Sequence, residues 1–250
     1  NPLLIGPAGV GKTAIVEELA KRINAKDVPF PLLNKKIIDL PMGDLVSGTK
    51  YRGEFEERLT KIIKEVIKNK DIILFIDEVH TMVNAGGAEG AINAGDILKP
   101  YLARGELKVI GATTTEEYEK FIAKDKALER RFETILVTEP SLDETKEILL
   151  GLKSSYENHH NIKITNQNIE DIVFLASKYL FKKKNPDKTI DLLDSVCAYV
   201  KRKNILKEEL ITLEQKAQEL TKQKEKYVLD NLFDKALDTC LKLNEIEQEI

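Results

Sequence analysis

The chain has 250 residues, 42% of them hydrophobic and 32% charged, so it can fold as one large α/β domain or as a core domain with a smaller satellite. Its 39 basic and 42 acidic residues leave a net charge of −3, which gives no electrostatic reason to expect nucleic acid or a membrane as the main partner. No apolar run approaches the roughly 18 residues of a membrane span. The two cysteines, Cys197 and Cys240, exclude a disulfide scaffold and fall short of a zinc set.

The first residues, Asn1-Pro2-Leu3-Leu4-Ile5, read as part of a strand, with neither an initiator methionine nor a signal peptide. We therefore expect a fragment of a longer protein. Residues 1–140 alternate short apolar runs with helical patterns, which is typical of parallel βαβ units. Helices are predicted after Gly11, over Glu54–Asn69 and over Ala94–Ala103, and strands at Leu3–Ile5, Lys36–Leu40, Ile72–Asp77, Leu107–Thr113 and Thr134–Thr138.

A phosphate-loop pattern, G-x-x-x-x-G-K-[ST], lies between the first predicted strand and the first predicted helix. Its residues are Gly6, Pro7, Ala8, Gly9, Val10, Gly11, Lys12 and Thr13. Glycines let a backbone wrap closely around phosphate, and the N–H groups at a helix start point at anionic oxygens. We expect Lys12 to reach the phosphates of ATP or ADP, and the Thr13 hydroxyl to ligate Mg²⁺.

Acidic residues follow the third predicted strand, which is apolar throughout Ile72–Ile76. Asp77 is expected to hold the Mg²⁺ shell. Glu78 is placed to orient and deprotonate a water that attacks the γ-phosphorus, which favours hydrolysis over nucleotide storage. The threonines at 113–115, which end the next strand along the chain, are a weaker signal for a group that holds this water or the γ-phosphate.

From Asp143 onward the sequence has helical patterns and no good strands. Ser141 lies three residues before Glu144, a capping-box spacing. Helices are predicted over Asp143–Tyr156, Asn168–Phe181 and Asp187–Asn204.

A heptad seam runs from Leu206 to Tyr227, breaks near Asp230 and resumes at Phe233. We interpret it as an antiparallel helical hairpin, with an ordinary pair of bundle helices as the alternative. The predicted division is therefore an α/β domain at 1–140, a small helical domain at 141–204 and a hairpin at 205–250.

These motifs together resemble the AAA+ ATPases and, within them, the first nucleotide-binding domain of the Clp unfoldases. The resemblance covers the whole chain and implies an α/β P-loop NTPase with a five-stranded parallel sheet, a small α-helical domain and a coiled-coil extension. It rests on GPAGVGKT at 6–13, TKYRGEFEERL at 49–59, FIDEVH at 75–80, ILKPYLARGEL at 97–107, GATT at 111–114, ALERRF at 127–132 and PDKTIDLLD at 186–194.

The resemblance implies further roles. Thr114 matches a sensor threonine, and Arg130 and Arg131 match arginine fingers that reach the γ-phosphate of the next subunit. Lys50, Tyr51, Arg52 and Gly53 match a first pore loop, whose tyrosine grips polypeptide in the channel of a hexamer, and residues 85–91 fit a second pore loop. Pro186-Asp187-Lys188 is expected near the nucleotide, and Ile148 and Ile190 are candidate adenine contacts. His159-His160 matches a pair seen in these domains, for which metal binding is not expected.

The residues around Phe233-Asp234-Lys235-Ala236, together with 87–92, favour the ClpC type, which has a short middle domain. The ClpB type, with a longer middle domain, is the alternative. Asn84 stands where the family usually has glycine, which leaves the conformation of the second loop open.

The implied function is that of a chaperone: a homohexameric, Mg²⁺- and ATP-dependent unfoldase that threads unfolded polypeptides as the ATPase subunit of a Clp protease, with a ClpB-type disaggregase as the alternative. The implied partners are a Clp protease or co-chaperones, and the hairpin is expected to dock regulators or partners. A nucleic-acid motor is disfavoured by the charge balance, and a module that holds nucleotide without cycling is disfavoured by Glu78 and the two arginines. No membrane insertion is expected. The expected compartment is the cytosol or an organelle lumen, with a plastid-type organelle favoured for a eukaryotic source.

Overall fold

The computed structural model describes residues 1–46, 52–84, 94–230 and 232–249. Lys50 and Tyr51 of the predicted first pore loop, and all of the predicted second pore loop at 85–91, lie outside the described residues. By backbone proximity the chain forms two compact units, 1–145 with 173–189 and 146–172 with 190–250. The three-part division into 1–140, 141–204 and 205–250 stays a prediction.

Five strands form a parallel sheet in the first unit. They are β1 (Pro2–Ile5), β2 (Lys36–Asp39), β3 (Ile72–Ile76), β4 (Val109–Thr113) and β5 (Glu133–Leu136). Their order across the sheet is β2-β3-β4-β1-β5. The predicted five-stranded parallel sheet and the α/β fold class are thus confirmed. Leu107 was predicted within the fourth strand but precedes it, because the apolar pattern marks burial, and Leu107 is buried without joining the strand.

Helices cover both faces of this sheet, so the central strands are apolar on both sides. On one face Leu3, Leu74 and Ile76 join a buried cluster with Phe55 and Leu98. On the other face, the strand residues that alternate with these, such as Leu4 and Phe75, pack with Val16 of the first helix. Because both faces of the sheet are covered, a site can form only where the strands end, and in such sheets it forms at their carboxyl ends.

Seven helices are described in the first part of the chain. They are α1 (Lys12–Asn24), α2 (Met42–Val46), α3 (Arg52–Lys68), α4 (Thr81–Asn84), α5 (Ala94–Ala103), α6 (Thr115–Glu117) and α7 (Lys126–Glu129), with a 3₁₀ turn at Phe30–Leu32 and a π-helical turn at Tyr118–Ile122. Three of them, α1, α3 and α5, have ten residues or more. The bounds of α5 are those predicted, and α3 begins two residues before the predicted start at Glu54.

The remainder of the chain is helical in its described part: α8 (Leu142–His160), α9 (Asn166–Tyr179), α10 (Asp187–Leu229) and α11 (Phe233–Glu249). The predicted capping box opens α8, since the backbone N–H of Glu144 donates to Ser141 Oγ and Ser141 N–H donates to Glu144 Oε2. Among the residues described, no helix combines the length and the apolar character needed to cross a membrane.

One continuous helix of 43 residues, α10, replaces the separate helices predicted on either side of residue 205. Its sequence changes there from a bundle-like pattern to a heptad seam without a glycine or proline that would end it. A connection of three residues then leads to α11, a length typical of helical hairpins. Leu243 of α11 is 6% exposed, so this helix buries one face.

Candidate functional site

The phosphate loop at residues 6–13 depends on glycine at three points. Gly9 and Gly11 have φ of 78° and 96°, in the left-handed region that side chains disfavour. A Cβ on Gly6 would lie 2.1 Å from the carbonyl oxygen of Val137, next to β5. Gly11 is also the N-cap of α1, so the loop delivers its backbone directly to the start of that helix.

Lys12 lies folded over this loop. Its Nζ donates hydrogen bonds to the carbonyl oxygens of Gly6 at 2.8 Å and of Pro7 at 2.9 Å. Burial lowers the pKa of Lys12, although the carboxylates of Asp77 and Glu117 act in the opposite direction. A partly desolvated ammonium group held by carbonyl oxygens is well placed to exchange them for phosphate oxygens.

Thr13 and Asp77 meet at the end of the sheet. Thr13 Oγ1 donates to Asp77 Oδ2 at 2.7 Å, and the other oxygen of Asp77 accepts from the backbone N–H of Glu78 at 2.8 Å. A hydroxyl and a carboxylate oxygen are donors of the type that Mg²⁺ prefers. The residues present therefore fit a magnesium ion between the phosphate loop and the end of β3.

Glu78 has an unusual backbone, with φ of 50°. A non-glycine residue in this region is strained, and such residues often lie at functional sites. Its side chain is exposed, and its carboxylate has no hydrogen-bond or ion-pair partner among the residues that the structure describes. A carboxylate left free in this way can accept a proton from water.

Thr114 follows β4, which lies beside β3. Its Oγ1 accepts from the backbone N–H of Glu117 at 3.2 Å, and its own N–H donates to Glu117 Oε2 at 3.1 Å. Thr114 is therefore the N-cap of α6 in a reciprocal capping box. Its place at the end of a strand next to β3 puts it at the same edge of the sheet as Asp77.

Arg130 and Arg131 follow α7, and both are exposed. Neither forms a salt bridge with a residue in the described part of the chain. Asp125 anchors this helix, because Asp125 Oδ1 accepts from the N–H of Leu128 at 3.1 Å and its other oxygen lies 2.6 Å from Lys99 Nζ of α5. Arg130 and Arg131 thus directly follow a helix that Asp125 holds in place. Their guanidinium groups form no ion pair with the residues that the structure describes.

The start of α10 reaches the phosphate loop. The N–H of Asp187 donates to the carbonyl oxygen of Gly9 at 3.3 Å, and a Cβ on Gly9 would lie 2.7 Å from Asp187 Cβ. Glu139 holds the preceding segment, since it accepts from the N–H of Asn185 at 2.9 Å and from Lys184 Nζ at 3.0 Å. Asp187 thus contacts the phosphate loop, and the position of Pro186-Asp187-Lys188 relative to a bound nucleotide stays a prediction.

Not every predicted residue joins this group. Arg52 and Gly53 begin α3, and the structure describes their backbone but not the Arg52 side chain. No described contact joins Arg130 or Arg131 to the phosphate loop. His160, in the second unit, is buried and its Nε2 lies 2.9 Å from Asp194 Oδ1. Among described residues, no three His, Cys, Asp or Glu side chains converge as a metal site would require.

Several residues at the site escaped the sequence reasoning: His80, Lys99, Glu117, Asp125 and Glu139. Two of them carried a local signal: Glu117 has the capping-box spacing in Thr114-Thr115-Glu116-Glu117, and Asp125 is an aspartate at the N-cap of α7. The others act through contacts between residues far apart in the chain, which spacing does not reveal.

Two family models match the chain. Residues 2–139 match the ATPase family associated with various cellular activities (AAA), and residues 141–242 match the AAA lid domain. The chain belongs to the AAA ATPase family. The phosphate loop, Asp77 and Glu78 all fall within the first of the two matches.

Curated relatives place this AAA domain among the Clp chaperones, which confirms the predicted resemblance. The chaperone protein ClpB of Oceanobacillus iheyensis and the negative regulator of genetic competence ClpC/MecB of Bacillus subtilis are each 52% identical over 94% of the chain. The chloroplastic chaperone ClpC1 of Oryza sativa subsp. japonica reaches the same values. The chain spans only 26–29% of the length of these relatives. Because both types reach 52% identity, the choice of ClpC type stays a prediction.

Solved structures of Hsp104 share the fold of the AAA domain. The complex of the Saccharomyces cerevisiae protein with ADP has a TM-score of 0.74 and 45% identity, over 82% of this chain and 35% of that one. A closed state of Hsp104 with ATPγS and FITC-casein also has a TM-score of 0.74, at 46% identity over 80% of this chain and 34% of that one. The membership and these neighbours establish a nucleotide-binding AAA fold.

Substitution of Gly6 by alanine tests the tight start of the phosphate loop. The added Cβ cannot fit beside the Val137 carbonyl, so the loop must move. We expect a loss of about 1–3 kcal/mol in unfolding free energy and about tenfold weaker ADP binding. Gly43→Ala is the control, since a Cβ there meets nothing within 4 Å. Denaturant unfolding and calorimetric titration measure both quantities, and equal behaviour of the two variants would contradict the prediction.

Substitution of Asp125 by asparagine tests the anchor of α7. Burial alone would raise the pKa of Asp125, but hydrogen bonds from Lys99 and the Leu128 N–H outweigh it and lower the pKa. A carboxylate with a lowered pKa stabilises the fold above its ordinary pKa and loses that effect as the pH falls through the folded value. We expect Asp125→Asn to lower the unfolding free energy at pH 7 by about 1 kcal/mol, after allowance for solvent screening.

The difference between wild type and Asp125→Asn should shrink as the pH falls below about 4. Asp27→Asn serves as the control, because it removes a negative charge at an exposed position without touching the Lys99 pair. Urea unfolding across the acid range measures the difference. A constant gap between wild type and Asp125→Asn over that range would refute the role of the charged pair.

Proposed function

We propose that the chain is the ATP-hydrolysing module of a protein unfoldase. The observation that carries this is the 2.7 Å contact between Thr13 and Asp77, with the exposed Glu78 as the next residue. In phosphoryl-transfer sites, catalysis is mostly positioning and electrostatic stabilisation. Lys12, Thr13 and Asp77 would hold the phosphates and Mg²⁺. When bound, the magnesium ion would offset the negative charge of the phosphate oxygens.

Glu78 would act as the general base. It follows Asp77 directly, so its unpaired carboxylate would accept a proton from a water next to the γ-phosphate. Thr114, at the end of the adjacent strand, would contact the γ-phosphate or that water. Both roles are supported by the meeting of the ends of β3 and β4 at one edge of the sheet.

Arg130 and Arg131 would complete the site of a neighbouring subunit in a homohexamer. Their support is exposure without a salt bridge in the described chain, together with the anchored helix before them. An arginine finger in related chemistry contributes about 10³–10⁵ in rate. An isolated copy of the chain is therefore expected to hydrolyse ATP slowly.

The substrate would be an unfolded polypeptide, gripped by Tyr51 within Lys50-Tyr51-Arg52-Gly53. A tyrosine offers a large amphipathic ring with few rotatable bonds to order. One solved relative, Hsp104, was captured with casein. The partner would be a Clp protease in a ClpC-type protein or co-chaperones in a ClpB-type one. The compartment would be a bacterial cytosol or a plastid, since relatives come from bacteria and chloroplasts.

Conversion of Glu78 to glutamine tests the hydrolytic mechanism. The amide is nearly the same size but cannot accept the proton of the attacking water. We expect ATP affinity to stay within about threefold and turnover to fall by about 10²–10⁴. The assay uses the chain in its natural sequence context, because its relatives are more than three times as long. Glu116→Gln, at an exposed carboxylate, is the control. Normal hydrolysis by Glu78→Gln would overturn the assignment.

Trimming of Tyr51 to alanine tests the unfoldase function separately from hydrolysis. We expect ATPase activity to persist while unfolding of a tagged fluorescent protein falls by about tenfold or more, because the gripping ring is lost. Tyr51→Phe should retain most of the unfolding activity. Tyr199→Ala, at a tyrosine that is 57% exposed, is the matched control. Undiminished unfolding by Tyr51→Ala would exclude this loop as the grip.

A further inference from the structure

One carboxylate collects contacts from both strand ends that flank the proposed reaction centre. Glu117 Oε2 accepts from the backbone N–H of Thr114 at 3.1 Å and from Thr113 Oγ1 at 3.3 Å. The same oxygen lies 3.1 Å from His80 Nδ1. Thr113 and His80 also contact each other, with Thr113 Oγ1 3.3 Å from His80 Nδ1. Three side chains, those of Glu117, Thr113 and His80, together with the Thr114 N–H thus form one connected group.

The members of this group come from different parts of the sheet. Thr113 ends β4 and Thr114 follows it, whereas His80 belongs to the turn that follows Asp77 and Glu78 after β3. The ring of His80 is stacked on Phe121, with centroids 6.0 Å apart. The side chain of His80 is 13% exposed, so its position is fixed from more than one side. Glu117 therefore joins the turn that carries the proposed base to the segment that carries the proposed sensor.

The charge of Glu117 also reaches the phosphate loop. Burial alone would raise the pKa of Glu117, but hydrogen bonds from Thr114 and Thr113 and the electrostatic effect of the adjacent His80 ring outweigh it and lower the pKa. The group is therefore ionised at neutral pH. Its negative charge acts on Lys12, whose ammonium form it favours.

We propose that Glu117 is a positioning residue for ATP hydrolysis, which sets the distance between Glu78 and Thr114 by binding His80 and Thr114 together. The inference rests on the proposed function of Glu78 and Thr114. Glu117 itself is not required to touch nucleotide. Its effect passes through the two segments that it joins.

A helix cap alone does not account for these contacts. The reciprocal capping box of α6, which has three residues, uses the Glu117 carboxylate only for its bond with the Thr114 N–H. His80 lies in the turn after β3, so its contact with Glu117 adds nothing to the cap. The Glu117 carboxylate contacts both the Thr114 N–H and His80, so it holds these two segments at a fixed distance from each other. Hydrogen bonds to a charged group are stronger than neutral ones, which suits them to this role.

The test compares Glu117→Ala and Glu117→Gln in the natural sequence context, by turnover number, affinity for a fluorescent ATP analogue and melting temperature. Loss of a charged hydrogen bond corresponds to about 10–100-fold in rate. We expect Glu117→Ala to lower kcat by that factor with ATP affinity within about threefold. Glu117→Gln keeps an oxygen for the Thr114 N–H and should recover part of the rate. Glu116→Ala, in the same turn and exposed, should match wild type.

A double variant tests whether His80 acts through the same contact. His80→Ala should lower kcat in the same direction, and the double variant with Glu117→Ala should be no slower than Glu117→Ala alone. Unchanged kcat in Glu117→Ala, or a loss of ATP affinity and melting temperature that matches the loss of kcat in both variants, would overturn the proposal. Normal hydrolysis by Glu78→Gln would instead overturn the proposed function, so the two failures are distinguishable.

Discussion

The contact between Thr13 and Asp77 depends on a property of the sheet, because these two residues lie far apart in the chain. β1 leads into the phosphate loop and β3 leads into Asp77, and β4 lies between them. Parallel strands put all their carboxyl ends at one edge, and in open α/β sheets ligands bind at that edge. The hydrophobic burial of both faces keeps the strands in register, and so keeps the hydroxyl and the carboxylate within hydrogen-bond distance.

One lysine and two carboxylates interact at this edge of the sheet. Lys12 is the cation of the phosphate loop, and the carboxylates of Asp77 and Glu117 both act on it. A bound nucleotide brings further negative charge, which Lys12 and a magnesium ion would offset. The carbonyl oxygens of Gly6 and Pro7 now hold the lysine, so binding exchanges one set of oxygen acceptors for another rather than exposing a buried charge.

Much of this arrangement could be predicted from the sequence. The apolar runs predict the strands, and the loop spacing with Asp77-Glu78 predicts the phosphate and magnesium residues. The link between His80 and Glu117 could not, because it depends on strand order and on side-chain placement across two loops. The continuity of α10 was missed for a different reason: a change of hydrophobic pattern at residue 205 shifts the buried face of a helix but does not end it, and no glycine or proline intervenes.

Gly9 packs closely against Asp187, so the phosphate loop contacts the start of α10 directly at this point. Dense packing transmits displacement, whereas a void would absorb it. A shift of the loop backbone toward α10 would therefore displace the first turn of that helix. Because Gly9 has no side chain, the phosphate loop and the start of α10 can lie in direct contact, and the position of one constrains the position of the other.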